Sequence, residues 1–209
     1  ESSQQNPIDH LARFTTISPT ARLQRLRQVF MDAEPVIEID RDHIYTRVMR
    51  ETDGESMVIR RAKSFAAVVR ELPLVISADE LLVGHVNVTW LGHRDTAESP
   101  AQMERVLRYA EDRRSVISEE DERELREDIL PYWRNRSSQH FGHLNINSEK
   151  VLAKGFLGVK QDAEARLARI DRSDPEELRK VPFLQAVVIA MEAASEIGER
   201  FAERARECA

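Results

Sequence analysis

A mainly helical fold with a few short strands is predicted by three observations. Apolar residues recur at intervals of three and four through most of the 209-residue chain, the pattern of helices that bury one face. Glycine is scarce (7) and aromatics make up 6% of residues, a balance that disfavours a sheet-rich fold. β-Branched residues cluster between Leu74 and Trp90, and strands or extended segments are expected there.

The elements follow in order. Residues 1–18 are polar and irregular, with Pro7 and Pro19 as punctuation, and read as an arm. Residues 19–209 are expected to form one domain, long enough to bury one sizeable core. Thr20 can cap a helix running to about Ala33, with Leu23, Leu26, Val29 and Phe30 on one face. A second helix starts at Asp40, turns Ile44, Tyr45, Val48 and Met49 inward, and stops at Thr52-Asp53-Gly54. The third has Met57, Ile59, Ala62, Phe65, Ala66, Val69 and Leu72 at helical intervals, with Arg60, Arg61, Lys63 and Arg70 between them, and closes at Pro73.

Beyond the extended region, Pro100 opens a helix ending near Arg114. Ser118 followed by Glu119, Glu120 and Asp121 is a strong helix start, because carboxylates there oppose the positive end of the macrodipole. That helix is expected to stop at Pro131, and Tyr132 to Ile146 to be helix-poor. Helix resumes from Ser148 to Arg169. Asp174-Pro175 is an N-cap with Pro at the first helical position, and the chain finishes helical, kinked or restarted at Pro182. The predicted core includes Leu23, Leu26, Phe30, Ile44, Val48, Phe65, Val69, Leu152, Phe156, Leu184 and Met191. Ala190, Ala193 and Ala194 suit close helix packing, and the mixed charges of residues 119–128 and 196–207 suit solvated faces.

Composition narrows the function classes. A net charge of −6 offers no excess of positive charge to phosphates, which argues against nucleic-acid binding as the main role. Cys208 is the lone cysteine, so no internal disulfide can form and a reducing, cytoplasmic setting is expected. A surface thiol at a helix end is the expected state of Cys208. No apolar run is expected to span a membrane, and no signal-peptide pattern opens the chain. The first residue is Glu rather than Met, so the amino end is expected to be trimmed or incomplete.

His140, His143, Asn145 and Asn147 form the densest polar cluster outside the charged helix faces. The residues alone leave three roles open to the histidines: metal ligand, proton donor or structural hydrogen-bonder. A metal site is the weakest, because no further ligands are evident nearby. A second candidate runs from Gly84 to Asp95, where His85, His93 and Arg94 could hold a carboxylate, or Arg94-Asp95 form a surface ion pair. Gly155 and Gly158 make a GxxG too short for a phosphate loop, and close helix packing explains them better. No nucleophile elbow or triad is present.

The run Glu51 to Gly84, ETDGESMVIRRAKSFAAVVRELPLVISADELLVG, and the segment GHLNINSEKVLAKGFLG, Gly142 to Gly158, resemble the N-terminal part of glycyl radical enzymes, the pyruvate formate-lyase-like family. Pro131-Tyr132-Trp133 and DPEEL…FLQAVVIAMEAA extend the resemblance, which covers about Arg22 to Ala209. It implies outer helices and short strands of the N-terminal part of a ten-stranded α/β barrel, incomplete at its C-terminal side. The family's reactive-cysteine and radical-glycine motifs are not in this chain. Two departures stand out: Asn147-Ser148 replaces an acidic residue and an aromatic, and only Arg134 to Phe141 separate the PYW element from Gly142.

The implied enzyme cleaves a C–O or C–C bond of a small organic substrate by radical chemistry, as a dehydratase- or decarboxylase-like lyase. The alternatives are addition of a hydrocarbon to fumarate and a non-catalytic, standalone helical interaction protein. The resemblance implies that His143 lines the substrate pocket as a catalytic proton donor, with Asn145, Asn147 and His140 binding or positioning substrate. No cofactor or metal is expected on this chain itself. The family implies a protein glycyl radical, installed by an activating enzyme that uses S-adenosylmethionine and an iron–sulfur cluster. The implied partners are the remainder of the same enzyme, that activating enzyme and a second copy in a homodimer, with no nucleic acid and no membrane.

Overall fold

The computed structural model describes residues 20–76, 83–84, 92–93, 99–136 and 147–208. Nine α-helices, one π-helical turn and two very short strands are present among them. In chain order these are α1 (Ala21–Asp32), β1 (Val36–Ile37), α2 (Asp40–Glu51), α3 (Met57–Glu71), β2 (Gly92–His93), α4 (Pro100–Glu111) and α5 (Glu119–Glu124). The π turn (Leu125–Ile129), α6 (Leu130–Arg134), α7 (Ser148–Leu167), α8 (Pro175–Leu178) and α9 (Val181–Glu207) complete the set.

Local chemistry starts most helices where the sequence predicts. Leu23 N–H donates to Thr20 Oγ1 at 3.3 Å, Asp121 N–H to Ser118 Oγ at 3.0 Å and Glu176 N–H to Asp174 Oδ1 at 2.8 Å. Each bond satisfies a donor the first helical turn leaves open. Helices α2, α3, α9 and α7 form a row, each packed on the next. The larger core lies where α2 meets β1, α4, the π turn and α6, and holds Ile37, Tyr45, Met49, Met103, Ile129 and Trp133 among others. A smaller core of Ala66, Val69 and Ala193 lets α3 and α9 approach closely, as the alanine spacing predicts.

The strands differ from expectation. Val36–Ile37, not predicted as a strand, runs parallel to Gly92–His93 in register Val36↔Gly92 and Ile37↔His93. Ile37 N–H also donates to Val116 O, and Val116 N–H to Pro35 O, each at 2.8 Å. Leu74 to Ile76 forms no ladder, and most of the stretch from Leu81 to Trp90 lies outside the described residues. A two-residue strand has too little alternation to show in a sequence, because its pairing is set by distant partners.

Pro131 does not stop its helix, contrary to expectation. The π turn widens the helix just before it, Leu130 N–H donating to Leu125 O five residues back. The missing proline N–H then falls at the start of α6, where it costs nothing. Tyr132 to Arg134 are accordingly helical, not part of a helix-poor segment. Gly155 is a second correction. Its φ of +68° and ψ of 173° break α7 into two segments, and a Cβ there would meet no atom within 4 Å. Backbone conformation, not close packing, requires glycine there. At Gly158 the crowding is real but local, since a Cβ would lie 2.8 Å from Lys154 Cβ.

Several predicted core residues are wet. Ile44, Val48 and Val69 are buried, and Leu26, Leu184 and Met191 half-buried. Leu23, Phe30, Phe65 and Phe156 are exposed, and Leu152 is 87% exposed. Helix α1 has no buried residue. Periodicity tells which residues share a face, not whether another element covers it. One more expectation fails: α9 carries an 18-residue window long and apolar enough, by length and composition, to cross a membrane. It packs against both α3 and α7, but only 17% of that window is buried.

Candidate functional site

The segment singled out by sequence, from His140 to Asn147, leaves α6 and returns at α7. Its two anchors are well defined. At the first, Trp133 is 2% exposed in the larger core, and its indole Nε1–H donates to Thr46 Oγ1 of α2 at 2.8 Å. Tyr45 tilts against the indole at 5.9 Å between centroids, and Tyr132 meets it edge-on at 5.2 Å. Indole burial with its polar edge satisfied fixes the end of α6 both in position and in rotation. Arg136 Nη1 then donates to Tyr132 O at 3.0 Å, closing the last turn.

Charge pairing holds the same region to α2. Arg50 grips Asp128 of the π turn with two hydrogen bonds of 2.8 Å, while Arg47 ties α2 to Glu71 at the end of α3 with bonds of 2.6 and 2.8 Å. His43 Nδ1 is bonded to Glu124. The hydrogen bonds from Arg50 hold the Asp128 carboxyl below its usual range, more than its partial burial raises it. Such a carboxylate is a poor proton donor at neutral pH. The Arg50–Asp128 pair therefore braces α2 against the π turn and does not present an acid.

At the second anchor, Asn147 is exposed and caps α7, its Oδ1 accepting from Lys150 N–H at 3.0 Å. The first segment of α7 is tied back across the Gly155 break: Lys154 Nζ donates to Asp162 at 2.8 Å and Lys150 Nζ lies 3.3 Å from it. Those bonds, Lys154 first, pull the Asp162 carboxyl down. Lys160 Nζ meets Glu192 at 2.5 Å and joins α7 to α9.

Asn147 is therefore a helix cap whose oxygen is engaged, while His140, His143 and Asn145 lie outside the described residues. So do His85 and Arg94 of the second candidate, whose described part is the backbone of Gly92–His93 paired with β1. Among the described residues, no three His, Cys, Asp or Glu side chains gather as a metal site. Cys208 is exposed at the end of α9.

Sequence reasoning missed two arginines. Arg200 of α9 donates to Val69 O and, at 2.9 Å, to Leu72 O, capping the C-terminus of α3 from outside the helix. Arg60, one of the basic residues between the apolar positions of α3, is 8% exposed and donates to Met49 O. It sits where the start of α3 meets the ends of α2 and α6, beside Met49, Tyr132 and Trp133. A one-stripe reading allows for one neighbour.

Comparison with known proteins matches this framework across nearly its whole length. A model of the pyruvate formate lyase-like family matches residues 15–209. Isethionate sulfite-lyase of Desulfovibrio desulfuricans is 28% identical over 94% of this chain and 28% of its own length. Trans-4-hydroxy-L-proline dehydratase of Clostridioides difficile is 27% identical over 90% of this chain and 28% of its own. In fold, the glycerol-bound B12-independent glycerol dehydratase from Clostridium butyricum is similar with a TM-score of 0.79 at 24% identity, covering 92% of this chain and 28% of that one. A glycyl radical enzyme from Archaeoglobus fulgidus gives a TM-score of 0.79 at 25% identity, covering 90% and 28%. The chain thus spans 28% of the length of each of these relatives. With the family match running from the arm to the last helix and the helical framework shared, the chain belongs to the pyruvate formate lyase-like family of glycyl radical enzymes.

Proposed function

We propose that this chain is the N-terminal portion of a glycyl radical lyase that cleaves a C–O or C–C bond of a small organic substrate, with dehydration the favoured reaction. The observation that carries the reading is the match along nearly the whole chain to proteins named as lyases and dehydratases. No named relative adds hydrocarbons to fumarate, and nothing in the described structure favours that alternative or a standalone interaction protein.

In this reading the helices form one outer side of an α/β barrel completed by the rest of a longer polypeptide. A glycyl radical elsewhere in that polypeptide, installed by an activating enzyme using S-adenosylmethionine and an iron–sulfur cluster, supplies hydrogen abstraction. A homodimer in the cytoplasm is the expected assembly.

This chain's own contribution is the segment between Trp133 and Asn147. His143, as an imidazolium, donates its proton to the departing hydroxyl oxygen, which leaves as water while the ring becomes neutral. His140 positions the segment. Asn145 and the amide nitrogen of Asn147 meet substrate oxygens, orienting rather than transferring protons. Trp133 and Asn147, at either end of the segment in sequence, are themselves held in place, and positioning is the protein's main lever on such chemistry.

The test uses the full-length protein with its activating enzyme, offered glycerol, trans-4-hydroxy-L-proline and (2S)-3-sulfopropanediol, the substrates named for its dehydratase relatives. Turnover of one of them, with loss of about 10²- to 10⁴-fold in His143→Gln and an undiminished glycyl radical signal, is the expected result. A folded, radical-bearing enzyme inactive on all three would contradict the lyase reading for these substrates. Full turnover in His143→Gln would remove the proton-donor role.

A further inference from the structure

A cleft of about 220 Å³ opens between the start of α3 and the end of α6. Met49, Met57, Tyr132 and Trp133 form its apolar walls, and Arg60 and Arg136 supply charge, with Arg61 at the rim. We infer that this cleft binds a small organic carboxylate with a flat apolar body, held by the Arg60 and Arg136 guanidiniums and packed against Tyr132 and the methionines.

Four observations support the assignment. Among the described residues no carboxylate lines the cleft. Arg60 is 8% exposed, yet its ion pair is with Asp53, 3.3 Å away and 82% exposed at the side chain. Such a wet partner compensates a buried guanidinium poorly. The Arg60 Nε also has no hydrogen-bond acceptor among the described residues, an expensive state for a donor withdrawn from water. Arg136 is exposed, and its described partners are the Tyr132 carbonyl and the face of the Tyr132 ring, 4.4 Å from its Cζ. That leaves positive charge beside an aromatic surface, a geometry suited to a planar anion.

Size decides the ligand class. Drug-sized ligands occupy clefts of roughly 300–1,000 Å³, so this one suits a ligand smaller than those. A single negative charge is favoured because Asp53 already offsets part of Arg60.

Benzoate is the probe and its neutral isostere benzamide the control. Titration of the protein, carrying ¹³C-methyl methionine, should shift the Met57 signal and leave those of Met31 and Met191 in place. Benzoate should bind at least about tenfold more tightly than benzamide, and Arg136→Gln should weaken benzoate about tenfold, the discrimination of one charge-assisted contact. Arg136 is exposed, so its replacement leaves the core intact. Equal binding of benzoate and benzamide would overturn the proposal in favour of an apolar crevice. Unchanged affinity in Arg136→Gln, or no Met57 shift at saturating benzoate, would overturn it as well.

Discussion

Replacing Thr46 by valine isolates the bond that holds the end of α6. Thr46 and Trp133 are both almost fully buried, and the indole N–H has Thr46 Oγ1 as its acceptor at 2.8 Å. Valine has nearly the same shape, so packing is kept while the acceptor is lost. The buried N–H is then left unsatisfied, at a cost of about 1–3 kcal/mol. With a urea dependence of about 2 kcal/mol per molar, a loss of about 2 kcal/mol moves the denaturation midpoint down by roughly 1 M. Thr46→Ser makes the opposite change, keeping the oxygen and removing a methyl, for about 0.5–1.5 kcal/mol. Thr46→Val should therefore cost more than Thr46→Ser. In a Trp133→Phe background there is no N–H to strand, and the valine penalty should shrink by about 1 kcal/mol or more, a coupling that a double-mutant cycle reads directly. If Thr46→Val sits within about 0.3 kcal/mol of the parent protein, or the penalty persists undiminished without the indole, the hydrogen bond is not what fixes α6.

Three further outcomes are expected. Arg200→Met should lose about 1.5–3 kcal/mol in thermal denaturation by uncapping α3, its guanidinium bonding two terminal carbonyls, and Arg200→Lys, which cannot fork, should recover only part of it. Gly155→Ala should cost about 1–3 kcal/mol, because φ of +68° with ψ of 173° is a backbone state that alanine avoids, although the added methyl would meet nothing; a neutral effect in urea denaturation would mean that α7 straightens freely. The Asp128 carboxyl is held down by Arg50, so its stabilisation is full above the unfolded carboxylate value near 3.9 and disappears as pH falls through the lower native value. With Asp128 half-exposed, the effect is roughly 0.2–1 kcal/mol, and acid titration of Asp128→Asn should show a shallower loss of stability below about pH 4 than the parent, equal slopes counting against the pair.

Local chemistry was legible in the sequence. The caps at Thr20, Ser118 and Asp174, and the limits of α2 and α3, depend on groups a few residues apart, so neighbouring letters determine them. The family was legible for a different reason: its motifs keep a fixed order along nearly the whole chain. The candidate histidines were found by density of polar residues and by that resemblance, and the described structure adds the two anchors between which they lie.

What the tertiary structure alone decided depends on residues far apart in the chain. The pairing of Val36–Ile37 with Gly92–His93 joins strands more than fifty residues apart, and two residues carry no alternation of their own. The burial of Arg60 needed the ends of α2 and α6 beside the start of α3, and the capping role of Arg200 needed α9 laid against the end of that helix. The passage through Pro131 needed a π turn whose widened register absorbs the missing N–H. Which apolar stripes are covered was decided the same way: Val69 meets Ala193 and is buried, while Leu152, on an equally apolar helix, meets no covering element among the described residues and stays wet. Sequence period sets the face a side chain takes; only the placement of a neighbour, fixed by the sum of distant contacts, decides whether that face leaves water.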